Sequence, residues 1–379
     1  MKIHRLFISL FTLCATLSAA QPPEPVHKQS MLAQTRKYEY MNELYGVFLE
    51  DSLLLTYLDS IALKLTPQTG AQPHIRIRIM KSPSFNAFAT PHGTIYLCTG
   101  ILARIKNEAQ LAALISHEMV HVINNHSIKN LSNAKKNALS STHLRMGLDF
   151  FIGSLAGTIG SAVLRSAITG YTRDLEREAD SLGLQIMTSA GYAPIEFRNL
   201  FLLLKSYIEE EAIKEPFFFA THPAIKERIS NYYAIFGQDT VTARQGFIKE
   251  EIFTRLIRNV LITDAQMSIA TGKTDNARRA LDRVLATDSC DTDALTLYGN
   301  TERLSHMADT SSIKTSSHRW YRKALGCDHY AEALLQLGFS HFKNRNLDSA
   351  SICFKNYMSQ SPDAPCIPLI RKYLQQCEN

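Results

Sequence analysis

The sequence predicts a mainly α-helical protein with a small β-sheet, in which an α+β domain is followed by an α-solenoid of paired helices. Apolar residues recur at helical spacing along most of the chain, whereas the alternation typical of strands is confined to short segments near residues 75 and 95. Residues 249–379 repeat a pattern of small and aromatic positions that is typical of stacked helix pairs. The 379 residues are enough for two domains that each bury a core.

The composition indicates a globular protein, with 45% hydrophobic and 20% charged residues. The formal net charge of +6 falls by two, to +4, when Lys2 and Arg5 are removed with a leader peptide. This charge is too small and too scattered to indicate a nucleic-acid partner, and the sequence contains no glycine-rich phosphate loop.

Residues 1–20 have the pattern of a cleavable signal peptide. A basic start precedes an apolar stretch at residues 6–17, and three small residues then offer a cleavage site before Gln21. The stretch is too short to span a bilayer. We therefore expect export to the periplasm, with an uncleaved anchor as the alternative. A lipid-modified Cys14 is disfavoured because a leucine precedes it.

The first elements of the following domain, residues 21–240, can be predicted in order. Residues 21–45 are polar and are expected to be partly loose, and apolar side chains at helical spacing predict a helix over residues 45–65. Alternating apolar and basic residues over 75–79 predict a half-buried strand, and residues 93–98 predict a second strand.

The next helix, predicted over residues 107–126, contains the sequence His-Glu-Met-Val-His. Residues four apart lie one turn apart on one helix face, so His117 and His121 can direct imidazole nitrogens at one ion. Glu118 then lies close enough to act on a water molecule at that ion. The alternative is that two histidines on a helix face are ordinary surface or core residues.

A second helix offers the missing ligand. A catalytic zinc site needs three protein ligands and one open position, and Glu176 and Asp180 share a helix face because they are four apart. We predict that Glu176 ligates the ion and that Asp180 orients a ligand histidine from behind. The alternative is a solvated face, because acidic and basic residues crowd residues 173–180.

Four motifs occur in a fixed order over about residues 85–232. They are Asn-Ala-Phe-Ala-Thr-Pro-His-Gly-Thr-Ile from Asn86, the histidine helix, the Glu176 and Asp180 pair, and Thr-His-Pro from Thr221 followed by Arg228. This order resembles that of the gluzincin metallopeptidases of the HtpX type, and in particular their soluble periplasmic BepA-like branch. His92 departs from the glycine that is usual in the family, which bears on the local turn or the substrate-facing loop and not on the metal site.

The resemblance implies a zinc-dependent endopeptidase with one zinc ion per chain. Its implied ligands are His117, His121 and Glu176, with Asp180 as the orienting carboxylate. Glu118 matches the general base, which takes a proton from water and returns it to the leaving amine.

Two further matches, His222 and Arg228, are implied to lie near the active site and to stabilise the tetrahedral oxyanion. His222 has an alternative role, because in the fourth zinc position it would hold the enzyme latent.

An extended substrate is expected to add to the edge of the second strand, main chain to main chain. Its predicted contacts are Asn86, Thr94, Ile95 and Tyr96. That mode of binding depends on the exposure of a chain more than on its sequence, which suits misfolded or stalled exported proteins as substrates.

Residues 150–164 are apolar and contain several glycines, but they are too few to span a membrane. A buried connection between the two metal-binding helices is one interpretation. The alternatives are a lid over the site and a segment that makes peripheral contact with a membrane.

Beyond a linker near residues 237–246, residues 249–379 match the tetratricopeptide pattern, most clearly over 335–362. Small residues would let paired helices approach while aromatic residues fill the groove of the next repeat. The alternative is a generic helical bundle. Stacked repeats would bind clients on a concave surface, and the resemblance implies an association with outer-membrane assembly machinery.

Six cysteines remain after removal of a leader, and five of them lie in the repeat region. Cys290 and Cys327 end adjacent repeats and are the pair that we rank first for a disulfide, while Cys98 is expected to stay a buried thiol. Zinc binding by cysteine is disfavoured because no C-x-x-C pair occurs.

Together these features predict a zinc endopeptidase of the cell envelope whose repeat domain binds clients or assembly machinery. One alternative is a periplasmic chaperone or scaffold with a largely latent protease domain. Another is a peptidase with a single dedicated client.

Overall fold

The computed structural model describes residues 24–66, 74–129, 171–211, 225–236, 240–305, 313–328 and 330–378. The predictions of a signal peptide at residues 1–20, of a lid or membrane contact at 150–164, and of a catalytic His222 lie outside these residues.

The first part of the described chain contains the sheet and the long helices that surround it. Its strands are β1 (Arg76–Met80), β2 (Ala87–Ala89) and β3 (Thr94–Cys98). Its helices are α1 (Glu24–Leu44), α2 (Ser52–Leu65), α3 (Thr99–Leu102), α4 (Glu108–Ile123), α5 (Arg173–Ser189), α6 (Ile195–Glu211) and α7 (Ile225–Phe236).

The second part is entirely helical in the described residues. Its helices are α8 (Thr240–Ala243), α9 (Glu250–Leu256), α10 (Arg258–Ala270), α11 (Thr274–Thr287), α12 (Thr292–Ser305), α13 (Ile313–Cys327), α14 (Ala331–Lys343), α15 (Leu347–Gln360) and α16 (Ile367–Glu378). The predicted fold class, mainly α with a small sheet, is confirmed.

The three strands form one sheet in the order β1-β3-β2. β1 runs parallel to β3, with Ile77 opposite Ile95, and β2 runs antiparallel to β3, with Phe88 opposite Tyr96. Because side chains alternate along a strand, Ile77 and Ile95 face the main core, whereas Phe88 and Tyr96 face a second apolar cluster that includes Tyr38 of α1.

The sheet order corrects one prediction. Thr94, Ile95 and Tyr96 lie in the central strand, which is hydrogen-bonded to β1 on one side and to β2 on the other. A substrate therefore cannot add to β3, and the prediction that it does so through these three buried residues is wrong. The short hairpin was recognisable from the sequence, but the return of β1 along its far side was not.

The N-terminal segment is also more ordered than expected, because Glu24–Leu44 forms the helix α1. Tyr38 and Asn42 on one of its faces are buried, and the ring of Tyr38 packs edge-on against that of Tyr96, with 6.1 Å between ring centroids. The Glu39 carboxylate lies 3.1 Å from Nε2 of His92, which ties α1 to the β2–β3 turn. His92, at the position where the family usually has glycine, thus links α1 to the β2–β3 turn.

The two predicted metal-binding helices pack directly on each other. Residues from Glu108 to Val122 of α4 are all buried. Gly183 of α5 lies at the crossing, where a Cβ atom would be 3.1 Å from the backbone nitrogen of His117. The absence of a side chain at this glycine therefore lets the helix with the carboxylates approach the helix with the histidines.

The helices of the second part pack in consecutive pairs, α10 with α11, α12 with α13, and α14 with α15. Gly299 of α12 faces the ring of Tyr321, and Gly338 of α14 faces the ring of Phe354. This is the packing of small against aromatic residues that the sequence predicts, whereas the assignment to the tetratricopeptide class stays a prediction. Cys290 and Cys327 form the expected disulfide, with 5.5 Å between their Cα atoms.

The helical array is joined to the first part by a shared core. Phe253, Val260 and Leu281 belong to the same buried apolar cluster as the residues around α4. The predicted domain limits, 21–240 and 249–379, stay a prediction, since the core continues across them. No helix among the described residues is both long and apolar enough to cross a membrane.

Candidate metal centre

Two histidines of α4 and one carboxylate of α5 converge at the centre of the first part. The possible ligand atoms of His117, His121 and Glu176 all lie within 4.8 Å of one another. The two Nε2 atoms are 3.1 Å apart, and the Glu176 oxygens lie 3.6 Å from Nε2 of His117 and 3.5 Å from Nε2 of His121. The sequence prediction that these three side chains meet is confirmed.

Local sequence explains why the helices begin where they do. The Asn107 side chain accepts a hydrogen bond of 2.8 Å from the backbone nitrogen of Gln110, which caps the start of α4. Thr172 caps α5 in the same way, by accepting from the backbone nitrogen of Leu175. Each helix then presents its ligands on one face.

The donor set fits zinc. Two imidazoles and one carboxylate are a common ligand set of catalytic zinc sites, and bonds of about 2.1 Å at tetrahedral angles place neighbouring donors roughly 3.4 Å apart. The separations of 3.1–3.6 Å among the donor atoms of His117, His121 and Glu176 match that spacing. Three is also the number of ligands that a catalytic zinc site takes from its protein.

His117 is supported from behind by a buried ion pair. The Asp180 carboxylate lies 3.0 Å from Nδ1 of His117, and Arg228 donates to the same carboxylate through Nε at 2.8 Å and Nη2 at 2.6 Å. Burial alone would raise the pKa of Asp180, but the Arg228 guanidinium and His117 lower it to about 2. Asp180 is therefore an anion placed to accept the Nδ1 proton of His117, and its role as the orienting carboxylate stays a prediction.

Arg228 of α7 is buried within this arrangement. Its guanidinium is engaged with Asp180, lies 3.5 Å from Glu176 through Nη1, and lies over the ring of Phe201 at 4.3 Å. The predicted role of Arg228 in stabilising the oxyanion stays a prediction. The contacts of Arg228 favour instead a role in positioning the metal ligands.

His121 has different neighbours, which the sequence reasoning missed. Its Nδ1 lies 2.8 Å from Nδ1 of His126, and its ring is stacked on that of Tyr171, with centroids 3.8 Å apart and planes 11° apart. The hydroxyl of Tyr171 lies 3.0 Å from that of Ser127. The only local signal in the sequence was a third histidine five residues after His121.

The remaining candidates occupy two places. Glu118 follows His117 in α4 and is fully buried, close enough to Tyr171 for its charge to help raise the pKa of that hydroxyl, although burial is the larger cause. Asn86 lies directly before β2 and is also fully buried. Within the part of the chain that the structure describes, the Asn86 side-chain amide has no hydrogen-bond partner.

Comparison with known proteins gives matches over this part of the chain. The model of peptidase family M48 matches residues 53–234. The beta-barrel assembly-enhancing protease of Escherichia coli (strain K12) is 25% identical over 209 residues, which are 51% of this chain and 41% of that protein. The mitochondrial metalloendopeptidase OMA1 of Schizosaccharomyces pombe is 29% identical over 154 residues, 40% of this chain and 44% of that protein.

A putative beta-barrel assembly-enhancing protease of Vibrio cholerae is 24% identical over 191 residues, 48% of this chain and 39% of that protein. The chain spans less than half the length of each of these relatives.

Proposed function

Residues 53–234 are a domain of peptidase family M48, and on this premise we propose that the chain is a zinc-dependent metalloendopeptidase that cleaves misfolded or stalled exported proteins in the cell envelope. The observation that supports the chemistry most directly is the convergence of His117, His121 and Glu176. The substrates, the compartment and the role of the repeats are parts of the proposal.

The residues divide the reaction between them. Zinc, when bound, polarises the scissile carbonyl and makes water more acidic. His117, His121 and Glu176 hold it, and Glu118, next to His117 in a water-poor site, accepts the proton of the attacking water and returns it to the leaving amine. The Asp180–Arg228 pair keeps one ligand ring in place throughout.

The substrate chain is proposed to pair with β2 instead of β3. The carbonyl of Asn86 accepts from the amide of Cys98 at 3.1 Å, and the amide of Thr90 donates to the carbonyl of Thr94 at 2.9 Å. Because inward-facing and outward-facing residues alternate in an antiparallel pair, the amides of Ala87 and Ala89 point away from β3. No described residue pairs its backbone with this outer edge of β2.

Asn86 supports this edge as the substrate side. A buried side-chain amide without a partner among the described residues calls for an explanation. An extended peptide alongside β2 offers the donor and the acceptor that the Asn86 amide lacks. Recognition through the backbone would select unfolded chains with little regard to sequence.

A second candidate, a scaffold with a largely latent protease domain, is favoured by one observation. Ala87 and Ala89 are only 0% and 2% exposed, and Glu118 is 0% exposed. A peptide can reach β2 and Glu118 only after a movement uncovers them. The protein therefore has a covered site in this state.

The envelope location and the client-binding role complete the proposal. The Cys290–Cys327 disulfide supports an oxidising compartment. The consecutive helix pairs of the second part support a surface that binds clients or assembly machinery.

The test is the variant Glu118→Gln, with Glu209→Gln on the surface of α6 as its matched control. Glu118→Gln should retain zinc, measured by mass spectrometry of the metal content, and should lose hydrolysis of an unfolded casein substrate by several orders of magnitude. Glu209→Gln should hydrolyse casein like the wild type. Retained hydrolysis in Glu118→Gln would contradict the assignment, and full rescue of a deletion strain by that variant would favour the scaffold.

A further inference from the structure

His126 lies directly behind one metal ligand, at a place that the proposed mechanism does not use. Its Nδ1 is 2.8 Å from Nδ1 of His121, and its side chain is fully buried. On the other side of its ring, Nε2 lies 3.4 Å from Oε2 of Glu178, a residue of α5. The contacts therefore lead from the metal ligand His121 through His126 to Glu178, whose side chain is partly exposed.

We propose that His126, backed by Glu178, is the positioning residue of His121 and keeps Nε2 of His121 as the metal-binding nitrogen. The inference rests on the zinc site of the proposed function and deepens it. Its chemistry is that of an acceptor placed behind a ligand imidazole, a role that carboxylates, carbonyls and water fill at other metal sites.

The atoms allow only one assignment of hydrogens once a metal is held. A nitrogen that binds a metal needs its lone pair, and Nε2 of His121 is the atom that faces Nε2 of His117 and Glu176. A neutral imidazole carries its hydrogen on the other nitrogen, so Nδ1 of His121 must donate. His126 must then accept at Nδ1 and carry its own hydrogen at Nε2, which lies 3.4 Å from the Glu178 carboxylate.

Among the described residues, two contacts of different kinds help to orient the His121 ring. Stacking on Tyr171, at 11° between the planes, restricts tilting of the ring. The contact with His126 restricts rotation in the plane of the ring. Glu178 is itself held by Asn124, whose side-chain nitrogen donates to it at 2.5 Å.

The two histidine ligands thus have separate supports that begin on the same helix. Asp180 stands behind His117, and Glu178 stands behind His126 and His121. The ligand Glu176 precedes both on α5. Glu176, Glu178 and Asp180 thus alternate along α5. The first is a metal ligand, and the other two are the carboxylates that support the two histidine ligands.

The test compares zinc binding in variants that keep or remove the acceptor. His126→Asn retains an oxygen close to the position of Nδ1, whereas His126→Leu has none. We expect His126→Leu to weaken zinc binding by about 10- to 100-fold, the range found for outer supports of metal ligands. His126→Asn should stay within about threefold of the wild type by the same reasoning. Competition of the apoprotein with a chromophoric chelator measures both dissociation constants.

Two further measurements separate positioning from packing. Ser268→Ala, at a buried position of α10, serves as the control and should bind zinc like the wild type. In the zinc-loaded wild type, nitrogen-15 NMR of histidine should show the hydrogen of His121 on Nδ1. Glu178→Gln, at a partly exposed position, should fold in every case and weaken zinc binding by a few-fold; it therefore tests the proposal even where His126→Leu fails to fold.

Each outcome decides the question. Wild-type zinc affinity in His126→Leu or in Glu178→Gln would overturn the proposal, as would an equal loss in His126→Asn and His126→Leu with equally lowered melting temperatures of the apoproteins. Failure of the wild type to bind zinc at all would instead overturn the proposed function.

Discussion

The Lys249 ammonium lies 2.8 Å from the Glu108 carboxylate, which connects the segment that leads into the helical array to the first turn of the metal-binding helix. Glu108 is buried and also accepts hydrogen bonds from the hydroxyls of Tyr57 at 2.5 Å and Tyr192 at 2.7 Å. Burial alone would raise the pKa of Glu108, but the bonds from Lys249 and the two tyrosines lower it. One buried anion therefore joins three separate parts of the chain at the start of α4.

Lys249→Met should lower the free energy of unfolding, because it removes the ammonium group from the Glu108 anion and leaves, within the described part of the chain, its two hydroxyl partners. We expect a loss of about 1–3 kcal/mol, which is the cost of removing one hydrogen-bond partner from a buried charged group. Unfolding in guanidinium chloride measures it. The control is Lys355→Met, which removes an exposed pair with Glu378 and should change stability by less than about 1 kcal/mol. Equal effects of the two substitutions would contradict this role of Glu108.

The disulfide is expected to stabilise the helical array. Cys290 and Cys327 are 37 residues apart, and closing a loop of that size is worth about 3–4 kcal/mol in the chain-entropy description. The double variant Cys290→Ser/Cys327→Ser should therefore melt at a lower temperature. As a control, Cys353→Ser removes a free thiol and should shift the melting temperature much less. A reductant should destabilise the wild type and leave the double variant unchanged; the opposite pattern would show that the bridge does not stabilise the fold.

The convergence of the candidate metal ligands could be predicted from the sequence because their geometry is largely local. The spacing of His117 and His121 already fixes one helix face, and the same holds for Glu176 and Asp180. Only the packing of α4 against α5 depends on residues that are distant in the sequence. Gly183 lets α5 approach α4 closely at His117, because it has no side chain. The resemblance to a family supplied the link between the two segments before any distance was known.

The errors concern contacts between segments that are distant in the sequence. The central place of β3 depends on β1, which joins it in parallel from residues 76–80. The helix α1 depends on the apolar face of the sheet, against which Tyr38 packs. The support of His121 by Tyr171 arises only when the segment before α5 lies over α4. Local periodicity carries none of this information.

Two glycines of the same helix pair offer a matched test of packing. A Cβ atom at Gly299 would come within 2.3 Å of the buried Tyr321 ring, whereas at Gly326 it would meet nothing within 4 Å. Gly299→Ala should destabilise the protein by about 1–3 kcal/mol through overpacking. Gly326→Ala should be neutral or stabilising by up to about 1 kcal/mol, since alanine favours the helix. Thermal unfolding compares them, and a tolerated alanine at position 299 would show that α12 and α13 can separate at no cost.

A buried carboxylate in α10 should make stability depend on pH. Burial raises the pKa of Asp264 to about 6, and the charges of Arg104 and Lys273 offset this only in part. The folded protein thus holds the Asp264 proton more tightly than the unfolded chain does. The contribution of this group is therefore most favourable below about pH 4 and is lost as the pH rises through about 6.

Asp264→Asn removes that penalty and tests the sign. The variant should exceed the wild type in free energy of unfolding by about 2–3 kcal/mol at pH 8, and the gain should shrink towards zero near pH 4, since about two pKa units separate the folded and unfolded states. Urea unfolding at a series of pH values measures the difference. Asp275→Asn, at an exposed position of α11, should show no such trend. A variant that is less stable than the wild type at pH 8 would mean that Asp264 is held as an anion by its neighbours, so that the attraction of Arg104 and Lys273 outweighs the cost of burial.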